Sequence, residues 1–375
     1  MPGVGAAGTS PDALCRGVAQ IGSASAWGVE GRWFNSSRPD HSKPQLTGSG
    51  GRHGNVKVYK NSDLHIEEPT VWGIGVFDGV HRGHQALFQQ VCALAATSNA
   101  APGMLTFEPH PMSVLRRKPV PRLTTLGEKL WLVERLGIRT AWVVEFDSRF
   151  SKLTPDSFLE EFLVRRSAAR GAVVGFDFTF GRGAKGNVRT YEQWTMKQGI
   201  PSAVVPAVKS GDLKIGSSVI RDLIAKGQIQ PANELLGRPY FATGEVVHGA
   251  GRGKDLGFPT VNLRLPEEKL IPKNGVYVVE AHLAAADPAT DSSRFRGLCN
   301  IGFRPTFDVA PSSDSRPTLE VYLDGFSGDL YGHSIRVDFH RYLRDERKFD
   351  TIDMLREQMG KDVQEMKQYE YSEAG

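Results

Sequence analysis

The chain has 375 residues, of which 46 are basic and 42 are acidic, so its formal net charge is +4. This length exceeds what one ordinary hydrophobic core needs and predicts two domains. A hydrophobic fraction of 40% and a charged fraction of 23% are typical of a soluble globular protein. The small positive excess does not by itself indicate binding to nucleic acid or to a membrane.

Cysteines and apolar runs indicate the cellular setting. Cys15, Cys92 and Cys299 are far apart and have no C-x-x-C spacing, which argues against a disulfide framework or a zinc knuckle and favours a reducing compartment. No run approaches the roughly 18 consecutive apolar residues that a membrane helix needs. We therefore expect a cytoplasmic protein.

Residues 1–55 differ in composition from the rest of the chain. They are rich in Gly, Ser and Ala and lack a sustained apolar period. Such a segment buries too little apolar surface to offset the entropy of ordering it, so we predict a disordered extension. Its few acidic residues are also a feature of transit peptides. An added segment or a misassigned start explains the stretch equally well.

Residues 56–237 alternate between short apolar strands and helical stretches. We predict strands at 71–77, 103–107, 141–144, 172–175 and 202–205, and helices at 84–96, 126–136, 158–166 and 191–198. This alternation is typical of a parallel α/β sheet, whose ligands bind beyond the carboxyl ends of the strands.

Residues 238–375 have a different pattern. We predict β-rich runs at 241–247, 275–282, 318–323 and 334–342, a polar hairpin loop at 284–294 and one final helix at 351–367. Closely spaced strands with Gly and Pro turns indicate a small antiparallel barrel, closed at its end by that helix.

A candidate phosphate site lies at residues 75–84 (GVFDGVHRGH), between the predicted strand at 71–77 and its helix. Backbone N–H groups and the helix dipole favour an anion there, and Gly79 and Gly83 allow close approach of a phosphate. His81 and His84, three residues apart, can point the same way and hold phosphate oxygens. An isolated His is more often a core or capping residue, and a zinc site needs a third ligand.

Two further segments supply rigid and aromatic surfaces. Pro109 and Pro111 hold a turn after a strand, which can form one wall of a pocket. Phe178 and Phe180 offer flat apolar faces for a ring system, although single Phe residues are more often core.

Polar residues follow in the same half of the chain. Asp177 can accept a hydrogen bond from a ligand hydroxyl. Ser217 or Ser218 can cap the helix that carries Arg221. A lone Arg on a helix is usually a solvated surface residue, so composition alone assigns Arg221 no role.

In the second half, residues 249–262 (GAGRGKDLGFPTVN) form a Gly-rich basic loop after a strand. The loop is not a Walker A motif, because Lys254 is followed by Asp255 rather than by Ser or Thr. Such a loop is often only a hairpin, and Glu320, further along, has the ordinary alternative of a charge on a strand surface.

These segments together resemble a known family, the bacterial bifunctional riboflavin kinase/FMN adenylyltransferases. The H-x-G-H motif alone is shared with cytidylyltransferases, other adenylyltransferases and class I aminoacyl-tRNA synthetases. Residues 106–111 (TFEPHP) resemble the family's T-F-x-P-H-P turn, 175–181 (GFDFTFG) its G-x-[DN]-F-x-F-G segment, and 217–221 (SSVIR) its Ser/Thr-rich segment ending in I-R.

The second half carries the rest of the resemblance, which covers about residues 56–368. Residues 249–262 resemble the riboflavin kinase loop G-x-G-R-G-x-x-L-G-F-P-T-A-N, with Val261 in place of Ala. Further resemblances lie at 300–307, at 319–323 with 328–332, and at 342–349.

The resemblance implies a Rossmann-like nucleotidyltransferase domain with a parallel sheet, followed by a small antiparallel β-barrel riboflavin kinase domain with a C-terminal helix. ATP would phosphorylate riboflavin to FMN in the barrel. A second ATP would adenylylate FMN to FAD on the α/β domain with release of pyrophosphate, and Mg²⁺ would assist. Nucleic acid and membrane are not expected partners, and the oligomeric state stays open.

The resemblance also implies roles for individual residues. His81, His84 and Arg221 would be catalytic in the first domain, Arg221 by binding the β- and γ-phosphates. Nucleotide contacts there would come from Gly75, Phe77, Asp78, Gly83, Asp177, Ser217 and Ser218. Flavin contacts would come from Pro109, His110, Phe178 and Phe180.

In the barrel, the resemblance makes Glu320 the general base for the ribityl 5′-hydroxyl. Thr260 and Asn262 would hold Mg²⁺, which prefers hard oxygen donors. Arg344 would contact flavin. Nucleotide contacts would come from Gly251, Arg252 and Gly257.

Two other functions remain open at this point. A different H-x-G-H transferase, acting on pantetheine phosphate or a choline-like alcohol, leaves residues 249–262 and Glu320 unexplained, and a turnover screen of acceptors distinguishes it. A flavin-binding regulator without activity would bind FMN but show no turnover with saturating Mg²⁺ and ATP.

Overall fold

The computed structural model describes residues 51–60, 65–249, 257–283, 294–302 and 317–371. A seven-stranded sheet is followed along the chain by a closed six-stranded barrel and a C-terminal helix. This arrangement confirms the predicted fold class. Within the described ranges, no helix is long and apolar enough to cross a membrane.

The sheet has the strand order β1-β2-β5-β4-β3-β6-β9, in which only β1 and β2 pair antiparallel. Its strands are β1 (Gly51–His53), β2 (Val56–Lys60), β3 (Ile66–Ile74), β4 (Ala101–Glu108), β5 (Thr140–Glu145), β6 (Ser167–Gly175) and β9 (Ser202–Val205). Two small hairpins join β7 (Thr179–Phe180) to β8 (Gly186–Asn187) and β10 (Lys209–Ser210) to β11 (Leu213–Lys214).

Two predicted boundaries are wrong in this domain. Gly51–His53, assigned to the disordered extension, forms a strand on Val56–Lys60, because backbone pairing there needs no apolar side chains; residues 1–50 lie outside the described range. The strand predicted at 71–77 ends at Ile74, because the chain turns into a loop with a positive φ of 52° at Phe77.

The helices alternate with these strands and cover the sheet. They are α1 (Arg82–Thr97), α2 (Pro111–Arg116), α3 (Leu126–Arg135), α4 (Pro155–Leu159), α5 (Val188–Gln198), α6 (Ser217–Ala225) and α7 (Ile229–Leu236). The helix predicted at 158–166 is instead the end of α4 continued by a π-helix at Glu160–Arg165.

Neighbouring residues of one strand bury opposite faces of the sheet. Val71 packs in a core with Phe88 and Val133, whereas Trp72 packs in the other core with Trp142. Side chains alternate between faces with a period of two, so both faces of these strands are buried under helices.

The barrel closes in the order β12-β13-β16-β15-β14-β17. Its strands are β12 (Tyr240–Val247), β13 (Thr260–Arg264), β14 (Gly275–Leu283), β15 (Arg294–Gly302), β16 (Thr318–Leu323) and β17 (Ser334–Arg344), followed by the helix α8 (Ile352–Gln368). The sequence did not predict β13 or β15. The hairpin loop predicted at 284–294 lies outside the described residues except for Arg294, which begins β15.

Two helices of the predicted first domain share the hydrophobic core of the barrel. Ile220 and Ile224 of α6 and Leu235 of α7 are buried in one cluster with Val279 and Phe339. The predicted boundary at 237–238 falls in the turn between α7 and β12. The packing therefore crosses this boundary, and α6 is held by the barrel.

Candidate active sites

The loop between β3 and α1 has an unusual backbone. Phe77, Gly79 and Val80 have positive φ values of 52°, 86° and 43°, which non-glycine residues rarely adopt. Phe77 and Val80 are buried, and a Cβ on Gly79 would lie 2.7 Å from Leu123 Cδ1. The surrounding core thus holds the loop in a conformation that it would not keep by itself.

Asp78 is buried in this loop and makes hydrogen bonds with two other segments of the chain. Its carboxylate accepts hydrogen bonds from the backbone N–H groups of Leu123 and Thr124, both at 3.2 Å. Asp78 Oδ2 also pairs with Arg221 Nη2 at 3.0 Å and Nε at 3.3 Å. The Ser217 hydroxyl donates to the Asp78 carbonyl at 2.8 Å. Three residues expected at a nucleotide site from the sequence therefore lie together.

His81 and His84 lie side by side at the start of α1. Their rings stack with centroids 3.6 Å apart and planes 17° apart, so the prediction that they point the same way is confirmed. His81 Nδ1 accepts from the His84 backbone N–H at 3.3 Å and caps the helix. His84 Nδ1 is buried and makes no hydrogen bond with any part of the chain that the structure describes.

Burial determines the protonation state of His81 and His84. It lowers the pKa of His81 to about 4 and holds the pKa of His84 well below its usual range. Both rings are therefore neutral near pH 7 in the free protein. A bound phosphate would raise both pKa values, because an adjacent negative charge favours the protonated ring.

The TFEPHP turn leads from the end of β4 into α2. The Glu108–Pro109 peptide bond is cis. His110 is buried, its Nδ1 accepts from the Met112 backbone N–H at 3.1 Å, and burial lowers its pKa to about 4. His110 thus caps the short helix α2 and, like the stacked pair, is uncharged near neutral pH.

A buried cation near this turn was not predicted. Lys129 Nζ donates to the Val76 carbonyl at 2.8 Å and lies 4.0 Å from Glu108 Oε1. Burial lowers the Lys129 pKa while Glu108 opposes that change. Its position in the sequence could have indicated its burial, because Lys129 stands three residues after Leu126 and four before Val133 on an apolar helix face.

The two predicted aromatic residues differ in exposure. Phe178 and Phe180 stack with centroids 5.0 Å apart. Phe180 is buried against Phe158, whereas Phe178 is half-buried. Asp177 is exposed and forms an ion pair with Lys214 at 3.3 Å, so this segment leaves Phe178 as the more accessible ring.

The predicted serine cap of α6 is wrong. The N-cap is Gly216, and no side chain caps this end of the helix. Ser217 is the first helical residue, and its hydroxyl is used instead by Asp78. Ser218 Oγ accepts from Arg221 Nη1 at 3.5 Å.

The second site is a row of polar residues across three strands of the barrel. Glu320 on β16 pairs in register with Asn262 on β13 and with Asn300 on β15. Thr260 pairs with Tyr322 one step along the same face. A Cβ on Gly249 would lie 1.9 Å from Asn262 Nδ2, so a larger residue where the loop begins would displace the Asn262 side chain.

A pocket opens beside this row, between the barrel and α8. It is lined by Phe258, Thr260, Val276, Leu298, Asn300, Glu320, Tyr322, Arg344, Glu346, Arg347, Phe349, Leu355, Met359, Asp362 and Val363. The pocket has apolar walls with a few convergent polar groups, as small-molecule sites do. Predicted residues Gly251 and Arg252 lie outside the described ranges, and Gly257 has a φ of 83°.

Arg344 joins the barrel to α8. Its Nε and Nη2 contact the Asp362 carboxylate at 3.0 and 2.7 Å, and Gln358 Nε2 donates to the same carboxylate at 2.9 Å. Asp362 is buried. Arg344 lines the pocket. Its guanidinium, however, is bound to Asp362 of α8, the helix that forms one wall of the pocket.

The fold and the two sites define a two-domain enzyme of phosphate-group transfer. A family model described as FAD synthetase matches residues 63–219, and one described as riboflavin kinase matches residues 236–370. The chain therefore belongs to the bifunctional riboflavin kinase/FMN adenylyltransferase family, and its activities are those two.

Individual relatives agree over most of the chain. The Bacillus subtilis bifunctional riboflavin kinase/FMN adenylyltransferase is 37% identical over 82% of this chain and 97% of its own length. The Escherichia coli K12 protein of the same name is 34% identical over 82% of this chain and 95% of its own. A solved structure titled as a macrolide-efflux protein from Streptococcus pneumoniae has a TM-score of 0.73 at 28% identity, covering 84% of this chain and all of its own.

Proposed function

We propose that the stacked-histidine site transfers AMP to FMN and that the row around Glu320 transfers phosphate to riboflavin. The observation that carries this division is positional. The FAD synthetase match contains His81, His84 and Asp78, and the riboflavin kinase match contains Asn262 and Glu320. The small-molecule partners are riboflavin, FMN, FAD, ATP and pyrophosphate, and we propose a cytoplasmic location.

At the first site, the FMN phosphate attacks the α-phosphorus of ATP and pyrophosphate leaves. His81 and His84 donate to phosphate oxygens as charge builds on them, and Arg221 stabilises the departing pyrophosphate. Asp78 acts through Arg221, since it holds the guanidinium at 3.0 Å. The reaction needs orientation and charge stabilisation and forms no covalent enzyme intermediate.

At the second site, the ribityl 5′-hydroxyl attacks the γ-phosphorus of ATP and ADP leaves. Glu320 accepts the hydroxyl proton and orients the nucleophile. The Thr260 hydroxyl and the Asn262 amide oxygen are the hard donors that suit Mg²⁺, and they lie in register with the strand that carries Glu320. Bound Mg²⁺ would neutralise charge that develops on the phosphates.

We assign the two flavin positions from the apolar lining of the barrel pocket and from the exposure of the predicted aromatic residues. In the barrel, the apolar walls at Val276, Leu298 and Val363 suit the isoalloxazine ring. In the first domain, Phe178 is the more accessible of the two stacked rings, and Pro109 and His110 are the other expected flavin contacts. Arg344 contributes chiefly by holding α8 over the barrel pocket.

Product analysis tests the proposal. Purified protein with riboflavin, excess ATP and Mg²⁺ is sampled over time and resolved by HPLC with fluorescence, with a parallel sample in EDTA. We expect FMN first and FAD second, and neither in EDTA. FMN alone would contradict the assignment of the first site, and binding without any product would favour a flavin-binding regulator.

A further inference from the structure

We propose that Lys269, in the barrel half of the chain, is a positioning residue for adenylyl transfer in the other half. The inference rests on the proposed function of the stacked-histidine site. Lys269 lies between β13 and β14. It acts through the segment 122–125, which supports the loop that carries Asp78.

Lys269 is a buried cation that crosses between the two halves. Its Nζ donates to the Leu123 carbonyl at 2.7 Å and pairs with Glu128 Oε2 at 2.6 Å. The side chains of Lys269 and Glu128 are 0% and 4% exposed. Burial lowers the Lys269 pKa, and Glu128 opposes that change.

Glu128 is held from both sides. Its Oε2 accepts from the Thr125 backbone N–H at 2.9 Å in a capping box at the start of α3. Its Oε1 accepts from the Thr243 backbone N–H of β12 at 2.9 Å. The first turn of α3 is therefore fixed to the barrel by one carboxylate.

Backbone pairing strengthens the same junction. Arg122 N–H donates to the Glu268 carbonyl at 2.7 Å, and Leu270 N–H donates to the Arg122 carbonyl at 2.8 Å. These bonds form a parallel bridge between Arg122 and Lys269. Lys269 thus lies where the segment 122–125 runs alongside the barrel loop.

The segment 122–125 in turn holds the loop between β3 and α1 that carries Asp78. Leu123, whose carbonyl binds Lys269, donates its own N–H to Asp78, as Thr124 does. Thr124 Oγ1 also accepts from the Gly79 N–H at 3.1 Å. One residue therefore separates Lys269 from the carboxylate that orients Arg221, and a shift of this segment moves Asp78 and Arg221 together.

The test compares both activities of the full-length Lys269→Met variant. We expect the kcat for FAD formation from supplied FMN to fall about tenfold or more, because small misplacement of reacting groups is costly. The KM for FMN should change little, and the kcat of the kinase should stay within about twofold of the wild type. Lys197→Met, at the exposed end of α5, is the matched control and should alter neither rate.

A second variant covers loss of folding. Removing one partner of a buried ion pair leaves the other charge unpaired, so Glu128→Gln/Lys269→Met removes both charges and should show the same split. FAD formation at the wild-type rate in a folded variant, or equal losses of both activities, would overturn the proposal. Absence of FAD formation by the wild type would instead refute the function proposed for the site.

Discussion

The two sites obtain their support from different parts of the molecule. The kinase row joins three neighbouring strands of one barrel, with α8 held over the pocket by Arg344 and Asp362. The stacked-histidine site depends on Asp78, which is held by segments about 45 and 143 residues away along the chain. The kinase row lies within the barrel, whereas the support of Asp78 reaches the barrel through Leu123 and Lys269. Damage to the barrel should therefore reach the adenylyltransferase site more readily than the reverse.

The largest expected effect comes from removing one of the stacked rings. His84→Ala should lower FAD formation by about 10³-fold, because a donor to the reacting phosphate is lost. FMN formation from riboflavin in the same sample should be unchanged, since Glu320 and its neighbours lie in the barrel. A folded variant that loses both activities would contradict the separation of the sites.

Glu320→Gln should have the opposite effect, a loss of kinase activity with adenylyl transfer retained. The amide keeps the shape of the side chain but is no longer a proton acceptor, so kinase turnover should fall by about 10²-fold. FAD formation from supplied FMN provides the internal control and should be unaffected. Unchanged kinase turnover would remove Glu320 from the role of general base.

Asp362→Asn weakens the junction between the barrel and α8. The guanidinium of Arg344 would lose a charged acceptor, which costs about 1–3 kcal/mol of stability. The helix α8, which forms one wall of the pocket, would then be held less firmly. We expect the KM for riboflavin to rise severalfold while FAD formation from FMN is retained. Steady-state kinetics of both reactions check this, and an unaltered KM would show that α8 does not shape the flavin site.

A smaller effect concerns the dependence of stability on pH. The pKa of His81 is about 4 in the folded protein and about 6.5 in an unfolded chain. As the pH falls from 6.5 to 4, the unfolded state binds a proton that the folded state does not, so stability decreases by up to about 3 kcal/mol. His81→Asn keeps a capping acceptor but removes this titration.

Urea unfolding at pH 7 and at pH 4.5 measures the difference. The free energy of unfolding should decrease less for His81→Asn than for the wild type over this interval. Equal decreases in the two proteins would mean that His81 is not held neutral by its burial.

The sequence predicted those features that depend on local pattern. Alternating strands and helices indicated the α/β domain, and the spacing of His81 and His84 indicated their common direction. The family resemblance, rather than a local pattern, assigned Thr260, Asn262 and Glu320 to one site, and these residues lie on two paired strands. The α/β pattern and the direction of the two histidines could be predicted because a single strand, turn or helix start determines each local feature.

Features that depend on distant contacts were not predicted. Lys269 and Glu128 are 141 residues apart, and neither residue lies in a motif that signals their pairing. The cap of α6 was assigned to a serine on propensity, but Asp78 engages the Ser217 hydroxyl and Gly216 takes the cap position. The positive φ values at Phe77 and Val80 likewise arise from the surrounding core rather than from local preference.

Mixing two variants, each impaired in one of the two activities, tests the separation of the sites most directly. His84→Ala should make FMN at the wild-type rate but FAD about 10³-fold more slowly, and Glu320→Gln should make FAD from supplied FMN but FMN from riboflavin about 10²-fold more slowly. Combined with riboflavin, ATP and Mg²⁺, the two variants should produce FAD, because FMN released by the first is adenylylated by the second. No FAD from the mixture, while each variant keeps its own single activity, would contradict two separate sites linked by free FMN.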